Sequence, residues 1–119
     1  MALLYMFTRS AWQPAVDLYQ TTDGLLLVAE VGGCRPEQLQ ITVERQRVIL
    51  AGRREPPIKG GRWLLGEIAW GAFERVIPLP APVDPQGARA ERRDGLLLVT
   101  CPLGAAVSAP VHVAIHSRE

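Results

Sequence analysis

Apolar and polar residues alternate in short bursts along this chain, and turn residues rather than helical stretches separate the bursts. Val16-Asp17-Leu18-Tyr19-Gln20-Thr21 alternates with period two, the period of a strand whose side chains point to opposite faces. Asp23-Gly24 then turns the chain. Leu25 to Val31 is apolar apart from Glu30, which predicts a strand buried on both faces. Gly32-Gly33 ends it. Pro36-Glu37-Gln38 suits one brief helical turn. Leu39, Ile41 and Val43 alternate with Gln40, Thr42 and Glu44, giving a half-buried strand. Val48 to Ala51 is another short strand, closed by Gly52. Phe73 to Leu79 is a further strand, stopped by Pro78, Pro80 and Pro82. Ala88 to Arg93 and Leu96 to Cys101 form a closing hairpin around Asp94-Gly95, where glycine takes the positive φ that the turn needs. No segment sustains helical periodicity, and ten prolines and eleven glycines punctuate the chain at strand-like intervals. The pattern predicts an all-β, antiparallel, immunoglobulin-like β-sandwich.

Two segments do not fit such a sandwich. Arg53 to Gly71 is too long for a hairpin loop and contains Trp63-Leu64-Leu65 and Trp70, and a long loop with apolar residues is usually functional or an interface. Behind a small-residue linker, Gly104 to Pro110, Val111-His112-Val113-Ala114-Ile115 is an alternating apolar strip. It suits either docking onto another surface or a further strand of the sandwich.

At 119 residues the chain has room for one domain with one modest core. A formal net charge of +1 excludes strong electrostatic attraction to nucleic acid or membrane. The basic residues are arginines except for Lys59, and they are scattered rather than blocked; Arg45, Arg47, Arg53, Arg54 and Arg62 form no run. Cys34 and Cys101 are too few for a disulfide framework and are expected to be reduced, structural thiols. Residues 1–12 lack the basic and apolar regions of a signal peptide, and no apolar run reaches membrane-spanning length, so a cytoplasmic location is expected.

Catalytic chemistry finds no support. Lys59-Gly60-Gly61 is not a phosphate loop. Ser10, Ser108 and Ser117 lie near the termini and suggest no nucleophile–base arrangement. His112 and His116 lack further ligands near them in sequence, and Asp17, Asp23 and Asp94 suit turns and edges. No enzyme activity, metal or cofactor is expected.

Several motifs, in order, resemble the α-crystallin domain of small heat-shock proteins of the bacterial or plant type. Trp12-x-Pro14-x-x-Asp17-Leu18-Tyr19 resembles the opening of that domain. Ala29 to Leu39 resembles the strand that ends at Pro-Gly before a short acidic turn, with Gly32 here in place of the usual proline. Val48-Ile49-Leu50-Ala51-Gly52-Arg53-Arg54 resembles the I-x-G-x-R strand end. Gly71-Ala72-Phe73-Glu74-Arg75-Val76-Ile77-Pro78-Leu79-Pro80 resembles the G-x-F-x-R…LP block. Ala90-Glu91-Arg92-Arg93-Asp94-Gly95-Leu96-Leu97 resembles the A-x-x-x-n-G-v-L signature; Leu103 stands where lysine commonly follows the proline. Each motif is weak alone; their order and spacing carry the resemblance.

The resemblance implies a short N-terminal arm over residues 1–11, an α-crystallin domain over 12–103 and a tail over 104–119. It implies that the long loop holds a strand exchanged between subunits of a homodimer. Trp63 to Ile68, with Leu64, Leu65 and Glu67, is the candidate strand, and Glu67 is expected to pair with Arg75 across the dimer. It also implies that Val111-x-Val113 or Val113-x-Ile115 docks in a groove walled by Leu39, Ile41 and Val43 on one side and Ala88 and Ala90 on the other. The implied activity is that of an ATP-independent holdase for partly unfolded client proteins, captured partly on Leu3, Leu4, Tyr5, Met6 and Phe7 of the arm. The short arm suits dimers or small oligomers. The other reading is a monomeric, non-enzymatic interaction module of the same sandwich shape, akin to a co-chaperone domain.

Overall fold

The computed structural model describes residues 12–104 and 107–118. Among these residues, nine strands form two sheets packed face to face. The five-stranded sheet runs β1 (Val16–Thr21), β2 (Gly24–Glu30), β7 (Leu96–Cys101), β6 (Arg89–Arg93), β9 (Ile115–Ser117). The four-stranded sheet runs β5 (Gly71–Pro78), β4 (Arg47–Arg54), β3 (Leu39–Glu44), β8 (Val111–His112). The pairings are antiparallel except for β6 with β9, which is parallel. This is the immunoglobulin-like sandwich that the alternation predicts.

The alternation also places the core. Leu25, Leu27 and Ala29 of β2 face Ile41 and Val43 of β3 and Val48 and Leu50 of β4 across one apolar layer, and all seven are buried. Polar neighbours in the same strands point outward because the side-chain period is two. The apolar run in β2 departs from expectation: Leu26 and Val28, on its outer face, are only half-buried. A two-layer sandwich has no third layer to cover that face. Gly52 also departs, since β4 continues through it to Arg54. A Cβ there would stand 2.6 Å from the Phe73 ring and 2.6 Å from the Gln38 carbonyl oxygen. Gly52 therefore lets β5 and the preceding turn approach β4 and does not terminate the strand.

The local turns follow their residue chemistry. Asp94 and Gly95 have φ of 54° and 76°, the paired positive values of a two-residue turn whose twist matches its strands. Pro36–Gln38 forms a 3₁₀ turn in which the Arg35 N–H donates to Gln38 Oε1 at 2.8 Å. A second 3₁₀ turn, Pro85–Gly87, is capped by Asp84, whose Oδ1 accepts from the Gln86 N–H at 3.0 Å.

Three of the four sheet margins are covered by the chain itself. Along β5, Trp12 bridges to Phe73, Gln13 Nε2 donates to the Glu74 carbonyl at 3.2 Å, and Arg75 Nη1 donates to the Pro14 carbonyl at 2.9 Å. The short strands β8 and β9 cover β3 and β6. No described strand lies beyond β1.

Cys34 and Cys101 are free and buried. Burial raises the Cys34 thiol pKa, opposed by the charges of Arg54 and Arg92. Burial pushes Cys101 from 9.0 up to about 11. Between those values the unfolded chain has released a proton that the folded chain still holds, so stability falls as pH rises. The buried Cys101 should cost about 2–3 kcal/mol of stability across pH 9 to 11. Urea unfolding at pH 8 to 11 should show this decline in the parent and a shallower one in Cys101→Ala. Equal slopes would remove the assignment. Leu50→Ala should lower unfolding free energy by about 2–5 kcal/mol through a core cavity, read in the same assay.

Candidate functional site

β4 ends at Arg54 because the chain then meets Pro56-Pro57, which cannot donate to a ladder. Residues 55–70 lie outside both sheets and carry Ile58, Trp63, Leu64, Leu65 and Ile68 into solvent, with Leu64 85% and Leu65 77% exposed. Burying one such side chain is worth about 1.5–3 kcal/mol, so this cluster is a surface of high free energy until something covers it. Trp63 to Ile68 forms no strand, and no described strand pairs with it. Glu67 is exposed, and among the described residues no ion pair joins it to Arg75.

The return of the loop is held by Arg54. Its Nε and Nη2 donate to the Ala69 carbonyl at 3.1 and 2.8 Å, and Nη1 donates to the Gly32 carbonyl at 3.0 Å. The guanidinium carbon lies 4.1 Å from the Trp12 ring centroid and 5.5 Å from that of Trp70. Trp12 Nε1 donates to the Gly71 carbonyl at 3.1 Å, and its ring meets Phe73 at 4.9 Å. One planar, permanently charged side chain thus ties the β2–β3 connection, the loop base and the start of the domain together, and only a fork of this geometry makes all three bonds. Reading the sequence missed this role. The only signal was an arginine at a strand end, and nothing local tells which carbonyls or rings it reaches.

The second surface is the groove between β3 and β6. Leu39, Ile41, Val43 and Ala90 are buried along it and Ala88 is half-buried. The tail strip lies here. Thr42 pairs with His112 and Val43 with Val111 on the β3 side, and Ala90 pairs with Ile115 on the β6 side. Val111, Val113 and Ile115 are half-buried, while His112, Ala114 and His116 are exposed. Val113 and Ile115 pack on the core, and the Val113 N–H donates to the Ile41 carbonyl at 2.9 Å. The strip and the expected walls are therefore brought together within one chain. Leu3, Leu4, Tyr5, Met6 and Phe7 lie outside the described residues.

Other candidates find structural partners. Arg47 pairs with Glu44 at 2.6 Å and Arg53 with Glu55 at 3.3 Å. His112 Nδ1 lies 3.1 Å from Thr42 Oγ1. Among the described residues no cluster of His, Cys, Asp or Glu has metal-site geometry, and no helix is long and apolar enough to cross a membrane.

The sequence profile of the Hsp20/alpha crystallin family matches residues 17–116. Spore protein SP21 of Stigmatella aurantiaca is 29% identical over 94 residues, covering 77% of this chain and 56% of that protein. The 22.7 kDa class IV heat shock protein of Pisum sativum is 33% identical over 88 residues, covering 71% of this chain and 45% of that protein. The chain thus spans about half the length of these curated relatives. The solved structure of HSP18.5 from E. histolytica superposes with a TM-score of 0.70 at 27% identity, covering 83% of this chain and 98% of that one.

Arg54→Lys keeps the charge but loses the fork, stranding the Ala69 and Gly32 carbonyls. It should lower stability by about 1–3 kcal/mol and shift tryptophan emission to the red. Urea titration followed by fluorescence checks both, and a variant with the parent midpoint and spectrum would show that Arg54 does not hold the loop base.

Proposed function

The chain belongs to the Hsp20/alpha crystallin family, whose members act as chaperones and form oligomers, and from that premise we propose that it is an ATP-independent holdase. It works as a homodimer, needs no cofactor, catalyses no reaction, and resides in the cytoplasm. Its clients are partly unfolded proteins with exposed apolar segments.

The observation that carries this reading is the pairing of an unsatisfied loop with an unsatisfied edge. Residues 55–70 present large apolar side chains to solvent, and among the described residues no strand lies beyond β1 at its sheet margin. An open margin is a row of backbone donors and acceptors that invites another chain. Trp63 to Ile68 of one subunit, laid along β1 of a second, completes both surfaces at once. The Trp70 indole N–H, buried without an acceptor among the described residues, gains a place to find one. Glu67 then reaches Arg75 of the other subunit. If that pair is buried, removing one partner should cost about 3–5 kcal/mol, because the other charge is stranded.

Client capture needs apolar surface without fixed geometry. Hydrophobic burial is non-directional, and surfaces of this kind accept many partners because little in them excludes any. Leu3, Leu4, Tyr5, Met6 and Phe7 of the arm supply that surface.

An aggregation-prone enzyme heated with the protein, without ATP, should scatter less light at near-stoichiometric amounts, and added ATP should change nothing. Unchanged scattering from a folded protein would assign the chain instead to a module that binds one defined partner. Leu64→Asp with Leu65→Asp should convert a sedimenting dimer to monomer without lowering the unfolding midpoint of the sandwich; a dimer that persists would remove the loop from the interface.

A further inference from the structure

We infer that the outer face of the five-stranded sheet is a docking surface for a second copy of this chain, laid face to face about a two-fold axis. The inference goes beyond the reading above: edge exchange joins copies in the plane of a sheet, and this face lies above that plane.

Strand β2 carries the face. Its outer residues Leu26 and Val28 are apolar, yet no described layer covers them and both are half-buried. The ladders extend this apolar strip. Leu26 pairs with Tyr19 of β1 and Val28 with Leu98 of β7, and Leu96 follows Leu98 on the same side. Leu98 is half-buried, Tyr19 is 50% exposed and Leu96 38% exposed. A strand with one face to water alternates apolar-in and polar-out, and the centre of this face does not.

The charges on either side of the strip have opposite signs. On the β1–β2 flank the charged residues are Asp17 and Glu30, and neither strand holds a basic residue. On the β6–β9 flank, Arg89, Arg93 and Arg118 outnumber Glu91, which takes Arg93 at 3.6 Å and Arg118 at 2.8 Å. His116 stands beside Glu91 in register. An anionic membrane or an acidic peptide would meet Asp17 and Glu30, and a basic peptide would meet the arginines. A second copy satisfies both flanks.

A two-fold axis lying in the face, along the strands between β2 and β7, sets each flank against the opposite flank of the other copy. Val28 of each copy then lies over Leu98 of the other. Tyr19 lies over Arg89, a cation–π placement. Asp17 lies over the Glu91 cluster, where arginines are in excess, and Glu30 lies over Leu96 beside Arg93. The strands stay aligned, as in two packed sheets. Strand spacing and rise give roughly 350 Å² per copy for this face. That is under half of the about 800 Å² that each partner gives to a stable complex. The contact is therefore weak, strengthening with protein concentration and fading with salt.

Sedimentation of the full chain tests this with two charge-reversed variants, Asp17→Arg with Glu30→Arg, and Arg89→Glu with Arg93→Glu. All four sites are exposed, so both variants should keep the parent unfolding midpoint. The parent should associate beyond the exchange dimer in the high micromolar range; a parent that stays dimeric overturns the inference. Each variant alone should associate at least about tenfold more weakly, since like charges then face each other, and an equimolar mixture should recover association to the parent level. No gain on mixing overturns the inference, because only opposed flanks make the two variants complementary. Methyl signals of Val28 and Leu98 in the parent give a reading that needs no variant: they should shift with concentration and return with salt. Shifts that ignore concentration, as a cover from the same chain would give, overturn the inference. Leu64→Asp with Leu65→Asp separates this surface from the loop, and there the Val28 and Leu98 signals should still move with concentration. Signals that move in the parent and stay fixed in that variant trace the contact to the loop and overturn the face.

Discussion

A two-sheet sandwich has four margins, and each is a row of backbone N–H and C=O groups that must find partners or water. Much of this chain's architecture follows from how those rows are met. Residues 12–14 meet β5, the tail runs along β3 and then β6, and among the described residues no strand lies beyond β1. The two segments that do not belong to the sandwich proper, the loop and the tail, are the ones concerned with edges. One covers two of them from within, and the other carries apolar surface suited to the fourth.

The core makes this division possible. A short chain buries little surface, and here the inner faces of β2, β3, β4 and β7 supply a tight apolar layer without buried polar side chains. Gly52 admits Phe73 to within contact of β4, which seats β5 and therefore the outgoing end of the loop. The tail draws on the same layer more weakly: its three apolar residues are only half-buried and its Arg118–Glu91 pair lies at the surface. Segments with few buried contacts open at lower free energy than the global fold.

Arg54 links the two halves of this arrangement. Its fork holds the loop base at Ala69 and the β2–β3 connection at Gly32, while Trp12 and Trp70 stack about the guanidinium. Reorganisation of the loop on dimerisation would reach this cluster through Ala69 and Trp70, and through Trp12 would touch the point where the N-terminal arm joins the domain. Loop and arm thus share one anchor.

Much of the fold was legible in the order of residues, because strand periodicity and turn geometry are local properties. Val16–Thr21 and Leu39–Glu44 declare a period of two, Asp94-Gly95 declares a tight hairpin, and the sparse apolar cluster of residues 55–70 declares itself by lying between strands it cannot join. What residue order left open was anything that depends on distance across the chain. It read Gly52 as a stop because the neighbour that requires it, Phe73, lies elsewhere in sequence. It read Leu26 and Val28 as covered because it could not count layers. It could not show that Arg75 also donates to the Pro14 carbonyl of its own chain. It found the strip Val111 to Ile115 and its groove but not that they meet in the same molecule. Periodicity is written residue by residue. The choice among complementary surfaces is made by closure geometry, which joins residues far apart in sequence.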